Sequence, residues 1–223
     1  MVSPGQDAGW VFELISADPD RRGQAVRRHQ ELDLAAMGAD NALATIWHRA
    51  GGQPADPRLA AQIDQAKAAM REAHRRCWVV TVGRWADGME PDSAAGARLA
   101  LLYLQWEAAY PEQWRASMLW SPWGLKKKVL RRFTTTAHQY GTEFRRALQD
   151  LIIAAVRRAH RCEDQAYGPL ARALDDTRLR AGLDSAAPDN DLLVSHRARF
   201  LLWALDHVDI PVAPRSWQTW LSG

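Results

Sequence analysis

Apolar residues recur at steps of three and four along almost the whole chain, a spacing that predicts helix nearly everywhere. Trp10, Val11, Leu14 and Ile15 mark a first helix over 7–17, and Asp18-Pro19 stops it and caps the next. The second helix runs through VRRHQELDLAAM to Gly38. A third starts near Ala39, carries Leu43, Ile46 and Trp47, and ends at Gly51-Gly52. Asp56-Pro57 opens a long helix with the stripe Leu59, Ile63, Ala66, Met70, Ala73, Cys77 and Val80. The β-branched run WVVTV at 78–82 keeps the register of that stripe and reads as helix rather than strand.

The same period continues over 93–110, through Leu99, Leu102, Tyr103, Trp106 and Tyr110. Ser121-Pro122 starts another helix with Leu125, Val129 and Phe133 on its buried side. A strongly amphipathic helix follows over about 136–161, then helices over about 168–181 and 188–208. Pro211 and Pro214 break the tail before a last turn that docks Trp217 and Trp220. The expected fold is all-α: an irregular bundle of about nine to eleven helices with no sheet. The linkers GGQPADP and GLDSAAPDND set off an N-terminal segment (1–52), a main bundle (53–182) and a C-terminal helix with its tail (183–223). The three are compatible with a single domain.

Composition narrows the class. A chain of 223 residues with 47% hydrophobic and 25% charged residues can bury a sizeable core and is not of disordered type. No apolar run reaches the roughly 18 residues of a membrane span. The start, MVSPGQDAGW, lacks the basic and apolar regions of a secretory signal, so a cytoplasmic location is expected. Two cysteines are too few for a disulfide framework.

Charge changes the picture more. The net charge is only +3, but residues 113–161 hold eleven Lys and Arg against Glu143 and Asp150. That tract carries +9 and leaves −6 for the rest, a strong field asymmetry. Arginine is abundant everywhere, whereas three of the four lysines stand together at Lys126, Lys127 and Lys128. They open a helix, where cations oppose the helix dipole, so helix stability alone does not favour them. Lys127 with Arg131 and Lys128 with Arg132 form two basic rows; the next helix adds Arg145, Arg146, Arg157, Arg158 and Arg161. These ten cations are the candidate contacts to the phosphates of RNA or single-stranded DNA. Trp120 and Trp123 are the candidate base-stacking rings.

Catalytic chemistry is poorly represented. There is no nucleophile elbow, phosphate-binding glycine loop or Cys-x-x-Cys. The expectation is a non-catalytic protein without a cofactor. His74-x-x-Cys77 and His160-x-Cys162 are residue types that zinc accepts. Arg75, Arg76 and Arg161 would repel a dication there, and residues 160 and 162 diverge on a helix, so no metal is expected. The pairs Glu163-Asp164 and Asp175-Asp176 read as solvated carboxylates. Arg132-x5-His138 (RFTTTAH) loosely resembles the Arg-x4–6-His signature of HEPN-domain ribonucleases, which are small helical bundles. The resemblance implies His138 as general acid or base and Arg132 on the phosphate. Phe133 stands where that family usually has a polar residue, and Arg22-x6-His29 shares the bare spacing.

In size, helical class and charge the chain is similar to the helical small subunits of multisubunit CRISPR effector complexes. That likeness implies a non-catalytic, nucleic-acid-binding subunit of a ribonucleoprotein assembly, with other protein subunits as partners. The alternatives are a protein-interaction scaffold without nucleic acid and a peripheral membrane-surface binder acting through MLWSPWGLKKKVLRRF.

Overall fold

The computed structural model describes residues 9–51, 56–89, 94–117, 121–158 and 164–222. Among these residues there are eleven α-helices, three 3-10 helices and no strand, so the fold is all-α as the periodicity predicts. The chain forms two compact units, residues 1–103 with 112–120 and residues 104–111 with 121–223.

In the first unit, the expected opening helix is a 3-10 helix, η1 (Gly9–Ile15). The two helices expected on either side of Gly38 are one, α1 (Pro19–Arg49). Asp18 caps it, its Oδ1 accepting from the N–H groups of Asp20 and Arg21. Gly38 is exposed with open space around it. A glycine inside a helix costs only about 1 kcal/mol relative to Ala, and α1 packs along α2 (Pro57–Arg76), which offsets it. The stripe predicted to run on through Cys77 is interrupted there. Cys77 is extended (φ −86°, ψ 105°), α2 ends on His74, Arg75 and Arg76 in favourable dipole positions, and α3 (Trp78–Ala86) restarts the helix. The WVVTV run is helical, as its register predicts. Helix α4 (Ala94–Ala109) contributes Tyr103, which is buried edge-on against Trp78 (6.1 Å) and against Trp114 of α5 (Pro111–Ser117; 5.5 Å).

The second unit takes α4 from Leu104 onward and helices α6 (Pro122–Thr136), α7 (Thr142–Arg157), α8 (Tyr167–Ala173), α9 (Thr177–Ala186), α10 (Leu192–Asp206) and α11 (Pro214–Ser222). The 3-10 turns η2 (Ala137–Gln139) and η3 (Asp164–Ala166) precede α7 and α8. One helix was expected over 168–181, and Asp175-Asp176 divides it. Asp176 caps α9 by accepting from Leu179 N–H (2.9 Å), a bond that holds its carboxyl below the usual value. Asp175 pairs with Arg180 at 2.9 Å, so these carboxylates have local structural partners. Gly182 admits α7 closely: a Cβ there would lie 2.3 Å from Ile153 Cδ1. Beyond α10, the tail forms a nine-residue helix rather than a single turn, and Trp217 and Trp220 pack on Phe200 (4.9 and 5.8 Å).

Arginine abundance in this unit has a structural cause. Helix C-termini leave carbonyls without intrahelical donors, and a guanidinium can bridge several of them. Arg145 donates to Ala137 O (3.0 Å) and Arg197 to Val156 O and Arg158 O. Arg172 donates to Ala204 O, His207 O and Ile210 O at 2.7–2.9 Å, gathering the end of α10 and the loop after it. Arg172→Ala is expected to lower stability by about 2–3 kcal/mol, since charged hydrogen bonds contribute more than neutral ones. Arg172→Lys should recover only part, because an ammonium lacks the planar fork. Urea unfolding of the three proteins checks this; equal midpoints for wild type and Arg172→Ala would contradict it.

Candidate nucleic-acid interface

Helix α6 starts on Pro122, whose fixed φ suits the first helical position. It contains no acidic residue from Pro122 to Thr136. Val129, Leu130 and Phe133 are fully buried, and the Phe133 ring meets those of Tyr140 and Phe144 at 5.9 Å each. On the opposite side, Gly124, Lys127, Lys128, Arg131 and Thr135 are exposed. At roughly 100° per residue, Lys127, Lys128 and Arg131 fall within an arc of about 100°. Trp123 is half-buried one turn before Lys127 on the same side, and Arg132 is half-buried at the edge of the cationic arc. The hydroxyls of Thr134, Thr135 and Thr136 bond back to Leu130 O and Arg132 O, so the threonine run continues the helix.

Two of the expected contact residues do not face solvent. Lys126 is fully buried; its Nζ lies 3.0 Å from Glu107 Oε1 and 5.3 Å from the centre of the Tyr167 ring. Arg158 is buried as well and donates to Glu107 Oε2, its guanidinium 5.6 Å from the same ring. Helix α7 stops at Arg157, and the extended backbone of Arg158 (φ −74°, ψ 147°) departs from the helical rows assumed for it. A buried carboxylate accounts for both cations, so neither belongs to a phosphate-contacting surface. Glu107 is a site residue that the charge pattern of the basic tract does not point to. Its sequence signal is that it is the one charged residue in the apolar run from Leu99 to Tyr110.

The basic tract is therefore not continuous. Arg145 is half-buried on Ala137 O, while Arg146 and Arg157 are exposed, Arg157 donating to Ser185 Oγ (3.2 Å). The exposed stripe of α7 reads Glu143, Arg146, Asp150, Ala154, Arg157, with Asp150 paired to Arg178 at 2.6 Å. It is mixed in sign. Among the described residues of the tract, Lys127, Lys128 and Arg131 are the exposed cations gathered on one arc. Arg161 and Trp120 lie outside the described residues, as do His160 and Cys162. His138 is exposed in η2.

In the first unit, His74 Nε2 stands 2.9 Å from Asp40 Oδ1, whereas Cys77 is buried with its Sγ 3.0 Å from Asp33 Oδ1. Trp78 Nε1–H donates to His29 Nδ1 (3.3 Å), so this group is a cross-braced buried network between α1 and the start of α3. Burial, then the Asp33 charge, pushes the Cys77 thiol up to about 12, which keeps it protonated and a poor metal ligand at neutral pH. Any stability it contributes is present below its ordinary value of 9.0 and is lost as pH rises toward about 12. Cys77 should therefore resist iodoacetamide in the native chain at pH 8 and react fully in urea. Peptide mapping reads both states, and rapid native labelling at Cys77 would refute the assignment.

Among the described residues no helix is long and apolar enough to cross a membrane, and no group of three or more His, Cys, Asp or Glu could hold a metal ion. The chain matches no protein-family model, no curated protein and no solved structure. The described residues define an all-α protein with a cationic face on α6.

Proposed function

We infer that this chain is a non-catalytic nucleic-acid-binding protein that holds the phosphates of a single strand, RNA or DNA, on the outer face of α6. The observation that carries the reading is the exposed cluster Lys127, Lys128 and Arg131 within one arc of a helix that has no acidic residue. Lys127 and Arg131 stand four residues apart, about 6 Å along the axis, a separation that suits successive phosphates of a strand. The second unit as a whole has sixteen Lys and Arg against twelve Asp and Glu, a charge of +4 that supports attraction of a polyanion. Trp123 beside Lys127 offers a ring for an unpaired base. Membership in a larger ribonucleoprotein assembly, as in the helical small subunits of CRISPR effector complexes, belongs to the same reading. The test is a fluorescence-anisotropy titration of a labelled mixed-sequence 20-nucleotide RNA and of the matching DNA, with the wild type and the variant K127E/K128E/R131E. Binding that survives in the variant would overturn the assignment of α6. Absence of binding by the wild type would leave a protein-interaction scaffold as the reading to pursue.

A further inference from the structure

Lys126 is the residue immediately before the two exposed lysines of α6, and it points the other way. Its Nζ is 3.0 Å from Glu107 Oε1, with both side chains fully buried, and it lies over the Tyr167 ring of α8. Consecutive helical residues differ in direction by roughly 100°, so the direction of one side chain fixes those of the next two. A lysine held inward at 126 therefore fixes Lys127 and Lys128 outward. Buried Val129, Leu130 and Phe133 flank the direction of Lys126 and favour the same rotation, so the lysine is accommodated inside only because Glu107 pairs its charge.

We propose that Glu107 is a positioning residue for the nucleic-acid face of α6: by holding Lys126 inside, it sets the rotation of the helix that presents Lys127, Lys128 and Arg131. Glu107 is fully buried, so it acts on a bound strand only through its neighbours. Without its carboxylate, the Lys126 ammonium gains by turning toward water, since a buried charge is costly unless paired. The rotation that brings Lys126 out carries Lys127 and Arg131 off the centre of the exposed arc. The inference rests on the nucleic-acid reading of that face.

The sign of the effect separates positioning from simple electrostatics. Glu107→Gln removes a negative charge from a protein that binds a polyanion, which on charge alone would strengthen binding. Positioning predicts the opposite, a loss on the order of tenfold in affinity for the single-stranded RNA probe, as expected when one or two phosphate contacts are misplaced. Lys126→Met should bind like wild type, because a methionine has no reason to leave the core. The double variant E107Q/K126M should regain wild-type affinity even where its stability stays low, which a merely structural role for Glu107 would not produce.

Affinities are measured by anisotropy at a temperature where circular dichroism shows each variant folded. Weaker binding by Glu107→Gln with recovery in E107Q/K126M supports the proposal. Unchanged or tighter binding by Glu107→Gln overturns it while leaving the α6 reading intact; loss of the α6 reading itself would appear instead as unimpaired binding by K127E/K128E/R131E. A second measurement applies even if Glu107→Gln fails to fold. In the native wild type, brief treatment with an amine-reactive acetylating reagent followed by peptide mapping should modify Lys127 and Lys128 and spare Lys126. Equal modification of all three would contradict the inward anchor.

Discussion

K127E/K128E/R131E is expected to bind mixed-sequence single-stranded RNA at least about a hundredfold more weakly than wild type, since three phosphate contacts become three repulsions. All three side chains are exposed. Exposed substitutions generally shift stability by no more than about 0.5 kcal/mol each. Glutamates at 127 and 128, in the second turn of α6, also do not oppose the helix dipole as the lysines do. The variant should accordingly unfold at nearly the wild-type urea concentration, and a binding loss can be assigned to the face. The choice of residues matters. A variant that also replaced Lys126 would disturb a buried ion cluster and confuse lost binding with lost folding.

Glu107→Gln is expected to cost about 3–5 kcal/mol of stability, the range for removing one member of a buried ion pair. The carboxylate takes Lys126 on one oxygen and Arg158 on the other, so a neutral amide weakens two charged contacts at once. A fall of that size is a large share of the roughly 5–15 kcal/mol that holds most domains folded. Lys126→Met should cost clearly less, because it leaves Glu107 facing Arg158 and fills the lysine stem's volume with apolar atoms. Equilibrium urea unfolding, followed by circular dichroism at 222 nm, ranks the two. A Glu107→Gln midpoint equal to wild type, or a larger loss for Lys126→Met, would contradict the central place given to Glu107.

The all-α class was plain in the sequence because amphipathic stripes at helical spacing run almost end to end, and the caps at Asp18 and Asp56 sit just ahead of their helices, whereas the helix expected from 188 starts only at Leu192, behind the cap Asp191. Breaks were harder to read. Gly38 resembles a stop but is helical, because helix propensity is a weak term beside the packing of α1 on α2. Cys77 resembles a stripe residue but is extended, its thiol bonded to an aspartate forty-four positions earlier. No local pattern announces a partner at that distance. The candidate face was half legible. Three adjacent lysines could be read as a cluster, but their directions could not, because the carboxylate that draws Lys126 inward lies in another helix. Arg145, Arg172 and Arg197 carry the same lesson: each bonds carbonyls at a neighbouring helix end, a role invisible without the tertiary arrangement.

If exposed cations of α6 neutralise phosphates of a single strand, the affinity must depend on salt. Each neutralised phosphate releases counterion, with a slope of about −0.7 in log K against log salt for single strands. Three contacts predict a slope near −2 for the wild-type protein on a mixed-sequence RNA, measured by anisotropy between about 50 and 300 mM NaCl. The same experiment on K127E/K128E/R131E should give a line that is both lower and close to flat. A wild-type affinity that does not change with salt, or that is absent at low salt, would contradict the account.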